Sequence, residues 1–208
     1  MTRSAMGQPS KSGKWKRSSH KGGLSMKHLF CSAIFMVAIL AAVQNSDAAI
    51  IKYTADLNGN KVVPPTVSSG TGFADIDYDN ILHTLSLKVT FSGLSGNVTA
   101  SHIHSPGLPT QNAGVATTVP TFPGFPSGVT SGNYVHTLDM TLATSYNPAF
   151  ITSNGGAVPG AEAALATSLA AGTAYYVIHT TLFPGGEIRG QLTPVPGAII
   201  YLPLILRN

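Results

Sequence analysis

The chain has 208 residues, of which 43% are hydrophobic and 10% are charged, so it can bury a core and does not have the composition of a disordered chain. Its formal net charge of +4 comes from residues 1–27, which hold seven basic residues and no acidic one; from residue 49 onward seven acidic residues outnumber five basic ones, for a net charge of −2. This distribution argues against nucleic-acid binding, and the position of the single cysteine, Cys31, excludes a disulfide framework and a thiolate metal site after residue 49.

The first 48 residues read as export sequence rather than as a folded domain. Residues 1–25 are rich in Ser, Gly and Lys and lack apolar periodicity, so we predict that they form no structure and that Met26 is the true start. Residues 29–43 are uncharged, and small residues precede Ala49. This pattern predicts a signal peptide over residues 26–48. An uncleaved membrane anchor is the alternative, but the apolar run is shorter than the about 20 residues that a spanning helix needs.

Alternation of apolar and polar residues dominates the next 145 or so positions and indicates strands. We predict strands at 50–57, 72–78, 82–91, 98–104, 133–142, 175–181 and 187–192. The second and third of these flank the dipeptide Asp79-Asn80, which favours a turn, so they are expected to form a hairpin.

The segments between the strands predict mostly loop. Residues 105–128 contain five prolines and are expected to be a loop with at most a short strand at 114–119. A single helix is predicted over 161–171, ending before Gly172. Together these elements predict an all-β fold, a Greek-key β-sandwich or barrel of short antiparallel strands with one short helix.

The predicted domain, residues 49–193, is followed by an apolar tail at 194–208 that contains three prolines and ends Arg207-Asn208. This tail resembles a truncated PEP-CTERM sorting signal, which would imply association with a bacterial cell envelope. It is too short to cross a bilayer as a helix, and Pro203 would kink it. The alternative is a loose extension that packs on the domain or on a partner.

Histidines provide the one candidate site. His102 and His104 stand two residues apart on a predicted strand, so their side chains share one face about 6.6 Å apart along the strand. His179, at the end of another strand, could supply a third ligand. Three imidazoles suit Cu²⁺ or Zn²⁺ and leave a coordination position open. The alternative is a pair that only forms hydrogen bonds across a sheet, and His83 and His136 are interpreted as ordinary strand residues.

Other motifs that carry chemistry are missing from the sequence. It contains no Gly-rich phosphate loop, no Gly-x-Ser-x-Gly and no His-Glu-x-x-His pattern. Asp75, Asp77 and Asp79 recur at every second position but lack the Gly and distal Glu of a calcium loop, so they indicate a solvated strand face. Glu187 and Arg189 are expected to share a structural hydrogen-bond network. No catalytic residue is predicted.

Several stretches resemble the signatures of the CHRD domain, the module named after chordin and found in secreted bacterial proteins. They are the segment 92–104 (SGLSGNVTASHIH), the segment 175–180 (YYVIHT) followed by 184–191 (PGGEIRGQ), and the opening segment 58–65 (NGNKVVPP). The resemblance implies a secreted all-β module in which Gly185, Gly186, Glu187, Arg189 and Gly190 form a structural motif. One position departs from the family pattern, because Val177 stands where its members usually have Asn.

A fainter resemblance points to copper/zinc superoxide dismutase. The segments His102-Ile103-His104 and Val177-Ile178-His179 are similar to two strands that carry ligands in that Greek-key barrel. No counterpart of its bridging histidine, zinc-loop ligands or disulfide is identifiable. This resemblance implies at most a mononuclear copper site.

Two hypotheses for function follow. The first is a secreted, periplasmic or cell-surface module without enzymatic activity that binds an extracellular protein or surface component, and no nucleic acid. The second is a mononuclear copper or zinc protein using His102, His104 and His179, with weak redox activity. Imidazoles more than about 8 Å apart would exclude the second, because metal–nitrogen bonds are near 2.0–2.1 Å.

Overall fold

The structure, a computed structural model, describes residues 49–201, so the predicted signal peptide and the end of the apolar tail lie outside the described residues. Eight strands are present in this range: β1 (Ala49–Asn58), β2 (Thr71–Asp79), β3 (Thr84–Ser92), β4 (Val98–His104), β5 (Gly132–Asp139), β6 (Tyr175–Thr180), β7 (Ile188–Gln191) and β8 (Thr193–Tyr201). Two helices, α1 (Pro148–Ser153) and α2 (Val158–Ala170), lie between β5 and β6.

The strands form one antiparallel sheet in the order β4-β6-β7-β1-β2-β3-β5, with β8 paired to β1 beside this path. The connection from β4 to β5 therefore joins the two end strands of the sheet, and the connection from β3 to β4 crosses nearly its whole width. Residues that lead into β5 run along the free edge of β4, where the amide of Phe122 donates to the carbonyl of Ser101 (3.2 Å) and the amide of Val98 donates to Val129 (2.9 Å). The sheet thus curls into a half-barrel, and the all-β prediction is confirmed.

The core lies on the concave face and follows the alternation of the sequence. In the predicted hairpin, Ile76 of β2 pairs with Leu87 of β3, and both side chains are fully buried. Ile103 of β4 and Tyr176 of β6 reach the same core from the other end, and α2 adds Leu165. Burying each such aliphatic side chain contributes about 1.5–3 kcal/mol, so the alternation fixes which face of each strand turns inward.

The helices differ from the sequence-based prediction in one respect. Helix α2 covers the predicted helix and is followed by Gly172, whose φ of +65° ends it in the left-handed region. Helix α1 was not predicted, so the expectation of a single helix is wrong. Its start signals are present, since the Asn147 side chain accepts from the amide of Ala149 (3.0 Å) and Pro148 follows the cap. At 6 residues α1 is too short to show apolar periodicity.

Strand β8 contains the described part of the predicted tail. It pairs antiparallel with β1, and Pro194 stands opposite Tyr53. The register shifts between Ile51 and Tyr53, the region that faces the proline-containing part of β8. Proline has no amide hydrogen to donate to a ladder, which agrees with the position of β8 beside the main path of the sheet.

Gly190 in β7 is a sharp test of this packing. A methyl group at Gly190 would meet the backbone oxygen of Asp56 and lie 2.7 Å from Cδ2 of Leu57. We expect Gly190→Ala to lower the free energy of unfolding by roughly 1–3 kcal/mol in urea denaturation. Gly114→Ala is the matched control, because nothing lies within 4 Å of its added methyl group. Equal losses in the two variants would contradict the close approach of β7 to β1.

Candidate metal centre

The pairing of β4 with β6 brings the three predicted histidines to one face of the sheet. His104 stands opposite Tyr175. His179 stands opposite Ala100, which precedes His102 by two positions. Because side chains alternate along a strand, all three imidazoles project from the face opposite the core, whereas Ile103 projects into it. The structure thus assembles the residues that the sequence proposed as a cluster.

The three rings are in mutual contact. Their centroids lie 5.3 Å apart for His102 and His179, 5.7 Å for His104 and His179, and 5.9 Å for His102 and His104. One ring nitrogen from each residue lies within 4.8 Å of the other two. These separations are well inside the 8 Å limit stated above, so the geometry does not exclude a common metal ion.

Each imidazole uses its other ring nitrogen to hold a loop. The acceptors are backbone carbonyl oxygens: Pro120 for Nε2 of His102 (2.7 Å), Ala113 for Nδ1 of His104 (2.8 Å) and Pro184 for Nδ1 of His179 (2.9 Å). Because a carbonyl oxygen only accepts, these nitrogens carry the hydrogen in the neutral rings. The tautomers that result leave a lone pair on Nδ1 of His102 and on Nε2 of His104 and His179.

Those three nitrogens are buried and have no hydrogen-bond partner among the described residues. A buried acceptor without a donor costs about 1–3 kcal/mol, and here three acceptors lie close together. No protein donor among the described residues serves them. A positively polarised species, such as a metal ion or a water molecule, would satisfy them.

Burial also determines the charge of the cluster. It lowers the pKa of His102 and of His104 to about 4, against the opposing effect of the backbone carbonyls, and lowers the pKa of His179 as well. The rings are therefore neutral at pH 7, which is the form that coordinates metals. An ordinary imidazole has a pKa near 6.5, so in this protein protons compete with a metal only at lower pH.

A tyrosine side chain packs against His104. The ring of Tyr175 stacks on His104 with centroids 5.1 Å apart and planes at 13°. Its hydroxyl accepts from the amide of Ala113 (2.7 Å), the residue whose carbonyl holds His104. This role of Tyr175 was not predicted, although Tyr175 shares the alternation that places Val177 and His179 on the same face.

Glu187 and Arg189 do not share a network, so that expectation is wrong. The Glu187 side chain is buried and accepts four hydrogen bonds, from the hydroxyls of Ser68 (2.5 Å) and Thr180 (2.6 Å) and from the amides of Ser95 (2.5 Å) and Gly96 (3.1 Å). Burial alone would raise the pKa of Glu187, but these donors outweigh it and hold the pKa below its ordinary value. This carboxylate joins four chain segments and is structural.

Arg189 points to different partners. Its guanidinium donates to the carbonyl of Leu108 (2.9 Å) and to the side-chain oxygens of Asn112 (3.3 Å) and Gln191 (3.4 Å). Its Cζ lies 3.5 Å from the centroid of the Tyr175 ring. Tyr175 on β6 therefore lies between His104 on β4 and Arg189 on β7.

The remaining candidates lie apart from the cluster. Nδ1 of His83 is 2.8 Å from Glu162, and His136 lies in β5 with its ring stacked on Tyr134. His83 precedes β3 in the hairpin turn and has a φ of +51°, outside the extended region, so its interpretation as a strand residue is wrong. Neither His83 nor His136 belongs to a group of potential metal ligands in the described range.

Asp75 and Asp77 of β2 form the solvated face that their alternation indicated, whereas that interpretation is wrong for Asp79, which is 5% exposed. Lys52 on β1 contacts Asp75 at 2.6 Å and Asp77 at 3.0 Å, and all three side chains are partly exposed. Asp79 instead accepts from the amides of Ile81 and Leu82 in the hairpin turn.

The depressed imidazole pKa values predict how stability varies with pH. Between about pH 4 and 6.5 the unfolded chain binds more protons at these histidines than the folded one, so the metal-free protein should lose stability as pH falls through this window. From pH 7 to 5 we expect His104 to account for a loss on the order of 1 kcal/mol. Denaturant titrations of the parent and of His104→Gln at both pH values measure it. The parent should lose more than the variant; equal losses would show that the ring of His104 titrates normally.

Comparison with known proteins gives one family assignment. The family model for the CHRD domain, an extracellular-type module, matches residues 53–192, whereas no curated protein and no solved structure matches. The fainter resemblance to superoxide dismutase thus gains no support from a matching structure. Among the described residues no helix is long and apolar enough to cross a membrane. The match covers the strands that carry the histidine cluster and the Glu187 network, and the chain belongs to the CHRD family.

Proposed function

We propose that this CHRD domain is a mononuclear copper-binding module whose ligands are His102, His104 and His179. One observation carries the proposal: three buried ring nitrogens without a partner lie on residues whose coordinating atoms fall within 4.8 Å of one another. In each ring the other nitrogen is already bound to a backbone carbonyl, which is the usual arrangement around metal-binding histidines.

The donor set favours copper. It consists of three neutral imidazoles, and no carboxylate or thiolate belongs to the cluster in the described range. Imidazole sites bind Cu²⁺ more tightly than the other divalent first-row metals, and imidazole is also a suitable ligand for Zn²⁺. Metal–nitrogen bonds near 2.0–2.1 Å place ligand nitrogens about 2.9–4.1 Å apart, so nitrogens at the 4.8 Å limit would have to approach by roughly 1–2 Å. Side-chain rotations are sufficient for such a movement.

We propose binding rather than turnover as the role of the module. Tyr175, the nearest hydroxyl that packs on the cluster, is engaged with Ala113, and the buried carboxylate of Glu187 is saturated by four donors. Neither group is available as a proton donor or acceptor for a substrate. Three protein ligands leave a coordination position for a small exogenous ligand, which is where weak redox activity would arise.

Copper titration of the metal-free full chain tests the proposal. We expect one Cu²⁺ per chain, with nitrogen hyperfine structure in the electron paramagnetic resonance spectrum. His102→Ala and His104→Ala should each lower the affinity at least tenfold, because each removes one of three ligands, while circular dichroism shows the β fold retained.

The matched control is His136→Ala, a half-buried strand histidine outside the cluster, which should bind copper like the parent. A double alanine variant of His102 and His104 that kept parental affinity would refute the site. Stoichiometric Zn²⁺ binding without Cu²⁺ binding would replace copper by zinc.

We also propose that the protein acts outside the cytoplasm. The supporting observations are the extracellular type of the CHRD domain and the uncharged segment before Ala49, where β1 begins. Mass spectrometry of the exported protein should give an N-terminus at Ala49 or Ile50. Recovery of residues 1–25 on the exported chain would contradict both the signal peptide and the reassigned start.

A further inference from the structure

A cavity of about 230 Å³ adjoins the histidine cluster. It is lined by residues of β4, β6 and β7 and of the loops between strands: Val62, His104, Asn112, Ala113, Tyr175, Val177, Gly185 and Arg189. Asn112 and Gly185 are exposed and form its mouth, whereas Tyr175 and Arg189 are buried and form its inner wall. Through His104, the cavity shares a wall with the cluster.

Arg189 is the unusual residue in the lining of this cavity, because it is a buried cation. Arg189 is 2% exposed, yet no carboxylate lies within 4.0 Å of it in the part of the chain that the structure describes. A buried charge without a counter-charge is costly, and the guanidinium cannot escape the cost by losing its proton. Contact with the Tyr175 ring compensates only in part, since a cation–π contact contributes about 2 kcal/mol when desolvated.

The protein also leaves part of the guanidinium free. Its hydrogen bonds use Nη1 once and Nη2 twice, and all three acceptors are neutral. Two of these contacts are long, at 3.3 and 3.4 Å. A guanidinium has five N–H donors in a planar fork, so Nε–H and one Nη1–H remain for another acceptor.

The cavity favours an anion as that acceptor. None of its lining residues is acidic, and Val62 and Val177 make part of the wall apolar, which strengthens the field of the cation inside it. A second cavity that Arg189 also lines, of about 410 Å³, is less suitable because the acidic residue Asp56 is in its wall. The smaller cavity combines the cation with an absence of competing carboxylates.

We propose that this cavity is a binding site for a small oxyanion, a carboxylate or an inorganic oxyanion, held by the charge of Arg189 and by its unused N–H donors. A water molecule occupies about 30 Å³ in the liquid, so a cavity of about 230 Å³ has room for roughly seven small heavy atoms. We expect a ligand of about that size. The site does not depend on the proposed metal, because Arg189 is not a metal ligand.

Two-dimensional NMR of the metal-free full chain, titrated separately with acetate and with inorganic phosphate at constant ionic strength, tests the proposal. The expected result is saturable 1:1 binding of at least one probe, with shifts concentrated on residues 104, 112, 175 and 185. Non-saturating shifts with both probes, or shifts centred elsewhere, would overturn it. This measurement needs no variant, so it remains decisive even if variants at Arg189 fold poorly.

Variants then assign the cation. Arg189→Gln should weaken binding at least tenfold, because it removes the charge and the unused N–H donors, with folding checked by thermal denaturation. Lys61→Met, which removes a cation from the wall of the larger cavity only, should bind the probe like the parent; a loss there would place the anion in the other cavity and overturn the proposal. His102→Ala should lose copper but keep the anion, so failure of the metal proposal and failure of this one give different results.

Discussion

The register between β4 and β6 is the constraint on which the candidate site depends. It places His102 and His104 on one face with His179, and it places Ile103 in the core between them. Because side chains alternate, a slip of one residue would turn both histidines of β4 into apolar surroundings and expose an isoleucine. Burial of Ile103 and Tyr176 therefore orients the imidazoles, although neither residue belongs to the histidine cluster.

Residues in the loops hold the imidazoles that the strands bring together. The three carbonyls that fix the imidazole tautomers come from Ala113, Pro120 and Pro184, all outside the strands. The turn that contains Pro184 leads directly to Glu187, whose four hydrogen bonds join it to the segments around residues 68, 95 and 180. One buried carboxylate thus holds the chain segment that positions His179, and hydrogen bonds to a charged acceptor are stronger than neutral ones.

Local patterns predicted those features that depend on local sequence. Alternation located β2 and β3, and the two-residue spacing of His102 and His104 required a common face in any strand. Local patterns did not predict contacts between distant segments. No pattern indicates that Glu187 accepts hydrogen bonds from residues 68 and 95 whereas Arg189 donates one to residue 108. Helix α1 was missed because its 6 residues form about one and a half turns, too few to show periodicity. The role of Tyr175 was missed because it depends on contacts with other strands, with His104 in β4 and Arg189 in β7.

Burial acts in opposite ways on the two kinds of basic side chain at this site. The imidazoles respond to a low dielectric by losing the proton, which leaves them in the form that can coordinate a metal, while the guanidinium of Arg189 keeps its charge. A fixed cation behind Tyr175 opposes the binding of a metal cation at His104, since nothing among the described residues neutralises it at short range. An oxyanion in the adjoining cavity would cancel that repulsion. By the reciprocity of linked binding, whatever the anion contributes to the affinity for the metal, the metal contributes equally to the affinity for the anion. The two proposed sites, separated by one aromatic ring, would therefore be coupled electrostatically, with each ion raising the affinity for the other without being required for its binding.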